Sequence, residues 1–267
     1  MSALGTETVA IDDVRAAGPV TASLTFAWRS LLKLRRLPEE LSDTIAIPII
    51  FQLMFTYLFG GALAGSTGRY LQYLEPGTLV LGVVMITVYT GVTLNADMAG
   101  GAFDRYRSLP IWRPAPIVGG LIGDAGRYLL AAGLVIGLGL LMGFHPPAGA
   151  PGLLAAVGLL LVFAFGLGWG WTALGLVARS PRAIMGVGFT VLFPVTFASN
   201  IFVAPRTLPG WLHTFVDVNP VSHLVGAERG LIDGTATAGQ VGWVLAASAL
   251  MFAVFAPLTM LLYRRRS

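Results

Sequence analysis

The chain has 267 residues, of which 55% are hydrophobic and only 11% are charged, with a net charge of +4 and no cysteine. A soluble globular domain carries about 25% charged residues, so this composition excludes an ordinary water-soluble protein. The absence of thiols from the sequence excludes disulfide bonds and thiolate metal sites.

The N-terminal part of the chain is predicted to stay outside the hydrocarbon core. Residues 1–20 are polar and lack the apolar core of a signal peptide, which predicts a disordered cytoplasmic tail. Residues 21–37 have the period of an amphipathic helix, with Leu24 and Trp28 on the apolar face and Arg29 on the basic face. Such a helix is predicted to lie at the membrane interface. The alternative is an amphipathic helix packed on the rest of the protein, also on the cytoplasmic side.

Six apolar stretches follow, and each is about long enough to cross a hydrocarbon core of roughly 30 Å as a helix. Backbone amides in lipid must be hydrogen-bonded within their own segment, which favours helices. Residues 38–267 are therefore predicted to form an all-α, polytopic membrane domain with six transmembrane helices. The predicted spans are 44–63, 78–96, 117–143, 152–178, 183–204 and 241–263.

Basic residues fall mainly in alternate gaps between these stretches. Of the 17 Lys and Arg residues, 14 lie on one side of the predicted topology, and only Arg69, Arg206 and Arg229 lie on the other. Because Lys and Arg are enriched in cytoplasmic segments, both termini are predicted to be cytoplasmic, in a multi-pass protein of the cytoplasmic membrane. Glu75 is placed with Arg69 in a short outer loop between the first two spans.

Charged side chains within the predicted spans are confined to the third. There Asp124 and Arg127 stand three residues apart on one helix face, and we predict that they neutralise each other as an intramembrane ion pair. Ion-driven carriers usually place an ionisable residue near the membrane midplane. The pair lies near the cytoplasmic end instead, which disfavours that class of transporter.

Sequence motifs for catalysis or nucleotide binding are absent. A P-loop needs Gly-Lys-Ser/Thr, and the single lysine, Lys33, stands in Leu-Lys-Leu. The three histidines share no metal-binding spacing. We therefore predict that the chain is not an enzyme and carries no catalytic, cofactor-binding or metal site.

Two segments outside the spans have distinctive sequences. Residues 97–110, after the second span, include GAFDRYRSLP, and a short helix is predicted there before the prolines. Residues 205–240, on the outer side, include LPGWL and then NPV. This length is unusual for a plain loop, and its amphipathic pattern predicts a re-entrant helical segment lying on the outer surface.

Both segments resemble signatures of the ABC-2 family of export permeases, in particular the daunorubicin-resistance type. The resemblance covers about residues 20–266. It implies a permease that works as a dimer, with a second copy or a paralogue, and that docks to two ABC ATPase subunits. ATP and Mg²⁺ would be bound by the ATPases, and no cofactor by this chain.

The resemblance also implies roles for individual residues. A coupling helix would enter a groove on the ATPase through Asp97, Gly101, Phe103, Asp104, Arg105, Tyr106 and Arg107. The translocation route would lie between spans one, two and five, with the candidates Phe51, Gln52, Phe55, Tyr89, Thr93, Asn95, Phe193, Thr196 and Asn200. The outer segment would cap the exit, with Pro209, Trp211, Asn219, Pro220, Glu228 and Arg229.

The expected function is that of the membrane subunit of an ATP-driven exporter for a hydrophobic or amphipathic small molecule: a drug, an antibiotic or a lipid. Aromatic and amide side chains without fixed charge suit such a solute. Membrane lipids are expected partners, and nucleic acid is not. The alternatives are an ion-coupled secondary carrier, an ABC-2 exporter of glycan or cell-wall polymer, and a membrane enzyme or lipid-binding scaffold that uses the outer helices.

Overall fold

The computed structural model describes residues 18–36, 38–101, 112, 114–204 and 209–266. Within these ranges all regular structure is helical and no strand is present. The helices are α1 (Pro19–Arg36), α2 (Pro38–Ala64), α3 (Thr67–Ile86), α4 (Val88–Ala99), α5 (Ala115–Leu141), α6 (Gly149–Val177), α7 (Pro181–Phe197), α8 (Gly210–Val218), α9 (Pro220–Asp233) and α10 (Ala238–Arg266).

Four helical segments are long and apolar enough to cross a membrane: Thr67–Ala99, Ala115–Leu141, Gly149–Val177 and Ala238–Arg265. The first of these comprises α3 and α4, which meet at Thr87. The Thr87 N–H still donates to the carbonyls of Val83 and Val84, so the helix is not interrupted there. These four segments coincide with the second, third, fourth and sixth predicted spans.

The first and fifth predicted spans coincide with two shorter apolar helices, Pro48–Ala64 within α2 and Pro181–Phe197. The fifth was predicted to continue to residue 204, but α7 ends at Phe197. Beyond that point the backbone carbonyls find partners outside their own helix, so the helix does not need to continue. A crossing of the membrane by all six helices stays a prediction.

The predicted outer loop around Glu75 is wrong. Helix α3 begins at Thr67, and the Ser66 hydroxyl caps it by accepting a hydrogen bond from the Arg69 N–H at 3.3 Å. Glu75 lies inside this helix with 1% of its surface exposed. The Gln52 side-chain amide donates to the carboxyl group, and Gly139 leaves the space that the carboxyl group fills. Arg69 and Glu75 lower the hydropathy at the start of this helix, so a prediction from hydropathy alone places them in a loop.

Helix α6 lies at the centre of the molecule and contacts α3, α4, α5, α7, α9 and α10. Its approach to α4 is especially close. A Cβ atom on Gly175 would lie 2.7 Å from the Gly91 carbonyl oxygen, and a Cβ atom on Gly91 would overlap the Trp171 carbonyl. Only glycine permits such backbone contact, so these two residues set the distance between the helices.

Helix α1 packs on α5. It has features of both predicted alternatives, a helix at the membrane interface and a helix packed on the rest of the protein. Its small residues Ala22 and Ala27 are buried, and Ala27 lies against Gly119 and Gly123 of α5. Several of its large apolar side chains, including Leu24 and Trp28, are exposed. A helix with protein on one side and exposed apolar groups on another suits an interfacial position beside the bundle.

Candidate functional site

An apolar cavity of about 170 Å³ lies between α2, the α3–α4 helix and α7. These are the helices of the first, second and fifth predicted spans. Among the described residues, no side chain with a full charge lines it. The lining consists of Pro48, Phe51, Leu81, Gly82, Met85, Ile86, Val88, Tyr89, Met185, Gly188, Phe189, Phe193 and Phe197.

A continuous series of phenylalanines runs past this cavity along α2 and α7. Phe193 stacks on Phe197 with ring centroids 4.2 Å apart, and Phe197 lies 5.0 Å from Phe202. Phe202 in turn stacks on Phe55 at 4.2 Å. The series extends to Phe189 at 5.9 Å from Phe193, to Phe59 at 5.2 Å from Phe55, and to Phe51 at 5.8 Å from both Phe55 and Phe197. We call these seven residues the aromatic ladder.

The aromatic ladder has a simple origin in the sequence. Phe51, Phe55 and Phe59 recur every four residues in α2, and Phe189, Phe193 and Phe197 do the same in α7. Residues four apart share one face of a helix. The repeat in α2 drew attention from the sequence, but Phe189, Phe197 and Phe202 were not among the candidates. The same spacing in α7 was the signal that would have found the first two.

Four of the nine predicted route residues belong to this site. Phe51, Tyr89 and Phe193 line the cavity, and Phe55 lies beside it in the aromatic ladder. Flat rings with exposed faces and edges bind other flat rings by offset or edge-to-face stacking. The chemistry available here is therefore the binding of an apolar, aromatic group.

The other predicted route residues do not line the cavity, and three of them make hydrogen bonds within the protein. Asn95 donates to the carbonyls of Gly175 and Ala178 at 2.9 and 3.0 Å, which ties α4 to the end of α6. The buried Thr196 hydroxyl donates to the carbonyl of Leu192 in its own helix. Gln52 is fully buried against Glu75, as described above.

The remaining two candidates, Thr93 and Asn200, lie on either side of the cavity. Thr93 lines a separate polar pocket of about 70 Å³. The backbone carbonyl of Asn200 accepts hydrogen bonds from the Tyr73 hydroxyl at 2.9 Å and from Arg229 at 2.8 Å. Asn200 thus belongs to the connection between α7 and the outer segment.

The polar pocket contains the predicted ion pair. Arg127 Nη1 lies 3.5 Å from Asp124 Oδ1, and both side chains are largely buried. The pocket is also lined by Arg29 of α1 and by Asp97 near the end of α4. The Arg127 guanidinium lies 5.7 Å from the ring centroid of Tyr89. The Tyr89 ring therefore separates this charged pocket from the apolar cavity.

Two predicted coupling residues lie within the described part of the chain. Asp97 lines the polar pocket, and Gly101 has a φ of +69°, a left-handed conformation that favours glycine directly after a helix. The other five lie outside the described residues: Phe103, Asp104, Arg105, Tyr106 and Arg107.

The outer segment is held by two side chains that bind backbone carbonyls. Asn219 Nδ2 donates to the carbonyls of Val195 and Ala198 at 2.7 and 3.1 Å, while its Oδ1 accepts from the Val221 N–H and caps α9. Pro220 occupies the first position of that helix. The predicted cap at Asn219 is thus present, and it also ties α9 to the end of α7.

Arg229 makes the second connection. Its Nε donates to the Tyr73 carbonyl at 3.1 Å, and its Nη2 donates to the carbonyls of Asn200 and Ile201 at 2.8 and 3.1 Å. The guanidinium also stacks on the Tyr73 ring, 3.8 Å from its centroid. Arg229 therefore joins α9 to α3 and to the chain after α7.

The remaining candidates of the outer segment differ in exposure. Pro209 precedes α8, and Trp211 in that helix is 75% exposed. Glu228 is fully buried, and its carboxyl oxygens have no hydrogen-bond partner within the described ranges. Burial raises the pKa of the Glu228 carboxyl well above its ordinary value, which favours the neutral form.

Comparison with known proteins identifies the family. Residues 21–232 match the ABC-2 type transporter family. The chain is 49% identical over 251 residues, covering 94% of this chain and 89% of the relative, to the daunorubicin resistance ABC transporter permease protein DrrB1 of Streptomyces coeruleorubidus. It is 31% identical over 239 residues, covering 84% and 79%, to the doxorubicin resistance ABC transporter permease protein DrrB of Mycobacterium tuberculosis.

A probable doxorubicin resistance ABC transporter permease protein, DrrC of Mycobacterium tuberculosis, is 22% identical over 262 residues, which cover 95% of this chain and 94% of that protein. The matches to these three relatives cover 84% to 95% of the chain. The chain belongs to the ABC-2 type transporter family of membrane permeases.

Proposed function

We propose that this chain is the membrane subunit of an ATP-driven exporter for amphipathic aromatic compounds such as daunorubicin and doxorubicin, which the names of its relatives give. The observation that carries the proposal is the aromatic ladder beside an uncharged cavity. Flat fused rings stack on phenylalanine faces, and each favourable aromatic pair contributes about 0.5–1.5 kcal/mol beyond simple burial. A charged polymer would need basic or hydrogen-bonding groups in the same place.

The exporter is proposed to work as a dimer. The cavity of about 170 Å³ is smaller than the roughly 300–1,000 Å³ of typical small-molecule sites. Apolar side chains of α2 and α7 beside it are exposed, among them Tyr57 at 65% and Phe189 at 59%. A second copy or a paralogue placed against these two helices would enlarge the cavity into a route between the subunits.

Energy is proposed to come from two separate ABC ATPase subunits that bind ATP and Mg²⁺. The sequence contains no P-loop of its own, and its relatives are named as permease proteins of ABC transporters. Segment 97–110 would act as the coupling helix on the ATPase. Asp97 shares a pocket with Arg29, Asp124 and Arg127, so movement of this segment would reach α1 and α5 through this group of charges.

In the proposed topology six helices cross the cytoplasmic membrane, both termini are cytoplasmic, α1 lies at the cytoplasmic interface, and α8 and α9 form the re-entrant outer segment. The basic residues Arg264 and Arg265 at the end of α10 support this orientation. Closure of the ATPases would shift the paired permeases between an inward-facing and an outward-facing state. The aromatic ladder would then pass the substrate outward along α2 and α7.

The route is tested by drug efflux from cells that produce the permease with its ATPase. Phe197 is the centre of the aromatic ladder, so Phe197→Ala is expected to lower daunorubicin efflux about three- to tenfold, the equivalent of one lost aromatic contact. Phe215→Ala in α8 is the matched control, because Phe215 is 40% exposed and lies outside the ladder. Equal efflux by the two variants would remove the route assignment.

The coupling assignment is tested separately. Alanine substitutions at Phe103, Asp104 and Arg107 are expected to abolish co-purification of the ATPase and ATP-driven efflux together. Retained assembly and undiminished efflux would refute that role. Efflux that continues without any ATPase would instead favour an ion-coupled carrier, for which the buried Glu75 would be the residue to examine.

A further inference from the structure

A large open groove lies between the start of α5, the second half of α6 and the second half of α10. None of these helices lines the aromatic cavity. Its volume is about 1260 Å³, which exceeds the roughly 300–1,000 Å³ of sites for drug-sized molecules. We infer that this groove binds one anionic phospholipid, with an acyl chain along its walls and the headgroup at its basic end.

The length of the groove fits one leaflet of a bilayer. On α10 it extends from Phe252 to Arg264, and these residues are twelve positions apart in one helix. At 1.5 Å per residue this separation is about 18 Å. Half of a hydrocarbon core of roughly 30 Å is about 15 Å. An acyl chain that ends near Phe252 therefore places its headgroup beside Arg264.

The walls of the groove are aromatic and its floor is made of small residues. Phe252 stacks on Phe165 with centroids 6.3 Å apart and meets the edge of Trp169 at 5.7 Å. Ala253 and Ala256 of α10 line the groove between these rings and the basic end. Small side chains leave room for a flexible chain, while the rings supply the apolar contact area.

The mouth of the groove carries groups that recognise an anionic headgroup. It is lined by Arg264 and Tyr263 of α10 and by Trp112 before α5. Arginine at the end of a span attracts anionic lipid, and tryptophan and tyrosine favour the headgroup level. Helix α5 begins at Ala115 beside this mouth, so the positive end of its dipole adds to the attraction.

The headgroup is tested by native mass spectrometry of the full chain, purified in detergent and titrated with phosphatidylglycerol or with phosphatidylcholine of the same acyl chains. Wild-type protein is expected to bind one phosphatidylglycerol at least about fivefold more tightly than phosphatidylcholine. Arg264→Ala is expected to abolish this preference, because one arginine near anionic headgroups contributes about fivefold. Equal binding of both lipids by the wild type would overturn the inference.

The groove itself is tested by filling it. Ala253→Leu is expected to weaken binding of both lipids, because the added side chain occupies the acyl path. Ala246→Leu is the matched control, two turns away on the same helix and also exposed, and its binding is expected to equal that of the wild type. Equal binding by the two leucine variants would refute the site. If Ala253→Leu fails to fold, Arg264→Ala decides, since this exposed residue lines the basic end of the groove and its loss must remove the preference for phosphatidylglycerol. These measurements require no transport, so they stand apart from the test of the exported compound.

Discussion

The predicted outer end of the molecule, around α9, and the aromatic cavity are held together by different kinds of contact. At the outer end, Asn219 and Arg229 donate hydrogen bonds to five backbone carbonyls on three separate parts of the chain. Around the cavity, the rings of α2 and α7 contact one another by stacking. Hydrogen bonds are directional and fix one geometry, whereas stacked rings tolerate sliding at a small cost. The contacts of Asn219 and Arg229 are thus suited to hold a fixed structure, and we call these two residues and their carbonyl partners the frame. The stacked rings around the cavity are suited to a surface that changes shape.

This difference predicts how substitutions in the two regions affect stability and transport. Changes to the frame should lower the stability of the protein, because buried polar groups lose their partners. Changes to the cavity should lower transport and leave stability nearly intact. The four predictions below test this division, in order of the expected effect on stability.

The largest loss of stability is expected for Arg229→Ala. It removes the arginine donor from the carbonyls of Tyr73, Asn200 and Ile201, of which Asn200 keeps the Tyr73 hydroxyl, and we expect the free energy of unfolding to fall by about 3 kcal/mol or more. Thermal unfolding of the purified protein in detergent measures this. Arg69→Ala is the control, since that arginine is exposed and its loss should change stability by less than about 0.5 kcal/mol. Similar melting temperatures for the two variants would contradict a role of Arg229 in the frame.

The next effect concerns the contact between α4 and α6. Gly91→Ala places a methyl group against the Trp171 carbonyl and should cost about 1–3 kcal/mol through overpacking. Gly133→Ala in α5 is the matched control, because a Cβ atom there meets nothing within 4 Å. That control should be neutral or slightly stabilising, since alanine favours helices. A stability of Gly91→Ala equal to that of Gly133→Ala would show that the helices are free to separate.

A smaller, pH-dependent effect is expected for Glu228. Because burial raises the pKa of its carboxyl in the folded state, the folded protein holds this proton more tightly than the unfolded chain, whose carboxyl has a pKa near 4.3. Stability should therefore fall as the pH rises above about 4.3 towards the raised value, with a slope of at most about 1.4 kcal/mol per pH unit. Melting curves from pH 5 to 8 should show a flatter profile for Glu228→Gln. An unchanged slope would exclude this carboxyl as the source.

The smallest effect on stability is expected in the cavity. Phe193 is 42% exposed, so Phe193→Ala should lower the free energy of unfolding by only about 1 kcal/mol. Daunorubicin efflux by the same variant should fall about three- to tenfold. A variant that melts much earlier than the wild type would place Phe193 in the frame instead.

Much of the fold could be predicted from the sequence because the membrane imposes simple rules. Apolar length indicated where the helices lie, and the Asn219-Pro220 pair indicated where α9 begins. The errors have a common cause. Glu75 was placed in a loop and α7 was extended past Phe197, because hydropathy cannot foresee polar groups that find partners on other helices.

The site was predictable to a similar degree. Phe51, Tyr89 and Phe193 were chosen from the predicted spans and line one cavity. Gln52, Asn95 and Thr196 were chosen on the same grounds, yet Gln52 and Asn95 join helices to one another and Thr196 bonds within its own helix. The sequence does not show whether a polar side chain in a span faces a transport route or a neighbouring helix.

The sequence by itself determined that this protein is a bundle of apolar helices, because the cost of exposing backbone amides to lipid leaves few other arrangements. Only the tertiary structure decided which faces of those helices meet. The four-residue repeats of phenylalanine in α2 and α7 are over a hundred residues apart, and packing brings them together into the aromatic ladder. Side-chain contact depends on helix rotation and distance, which glycine pairs such as Gly91 and Gly175 set in three dimensions.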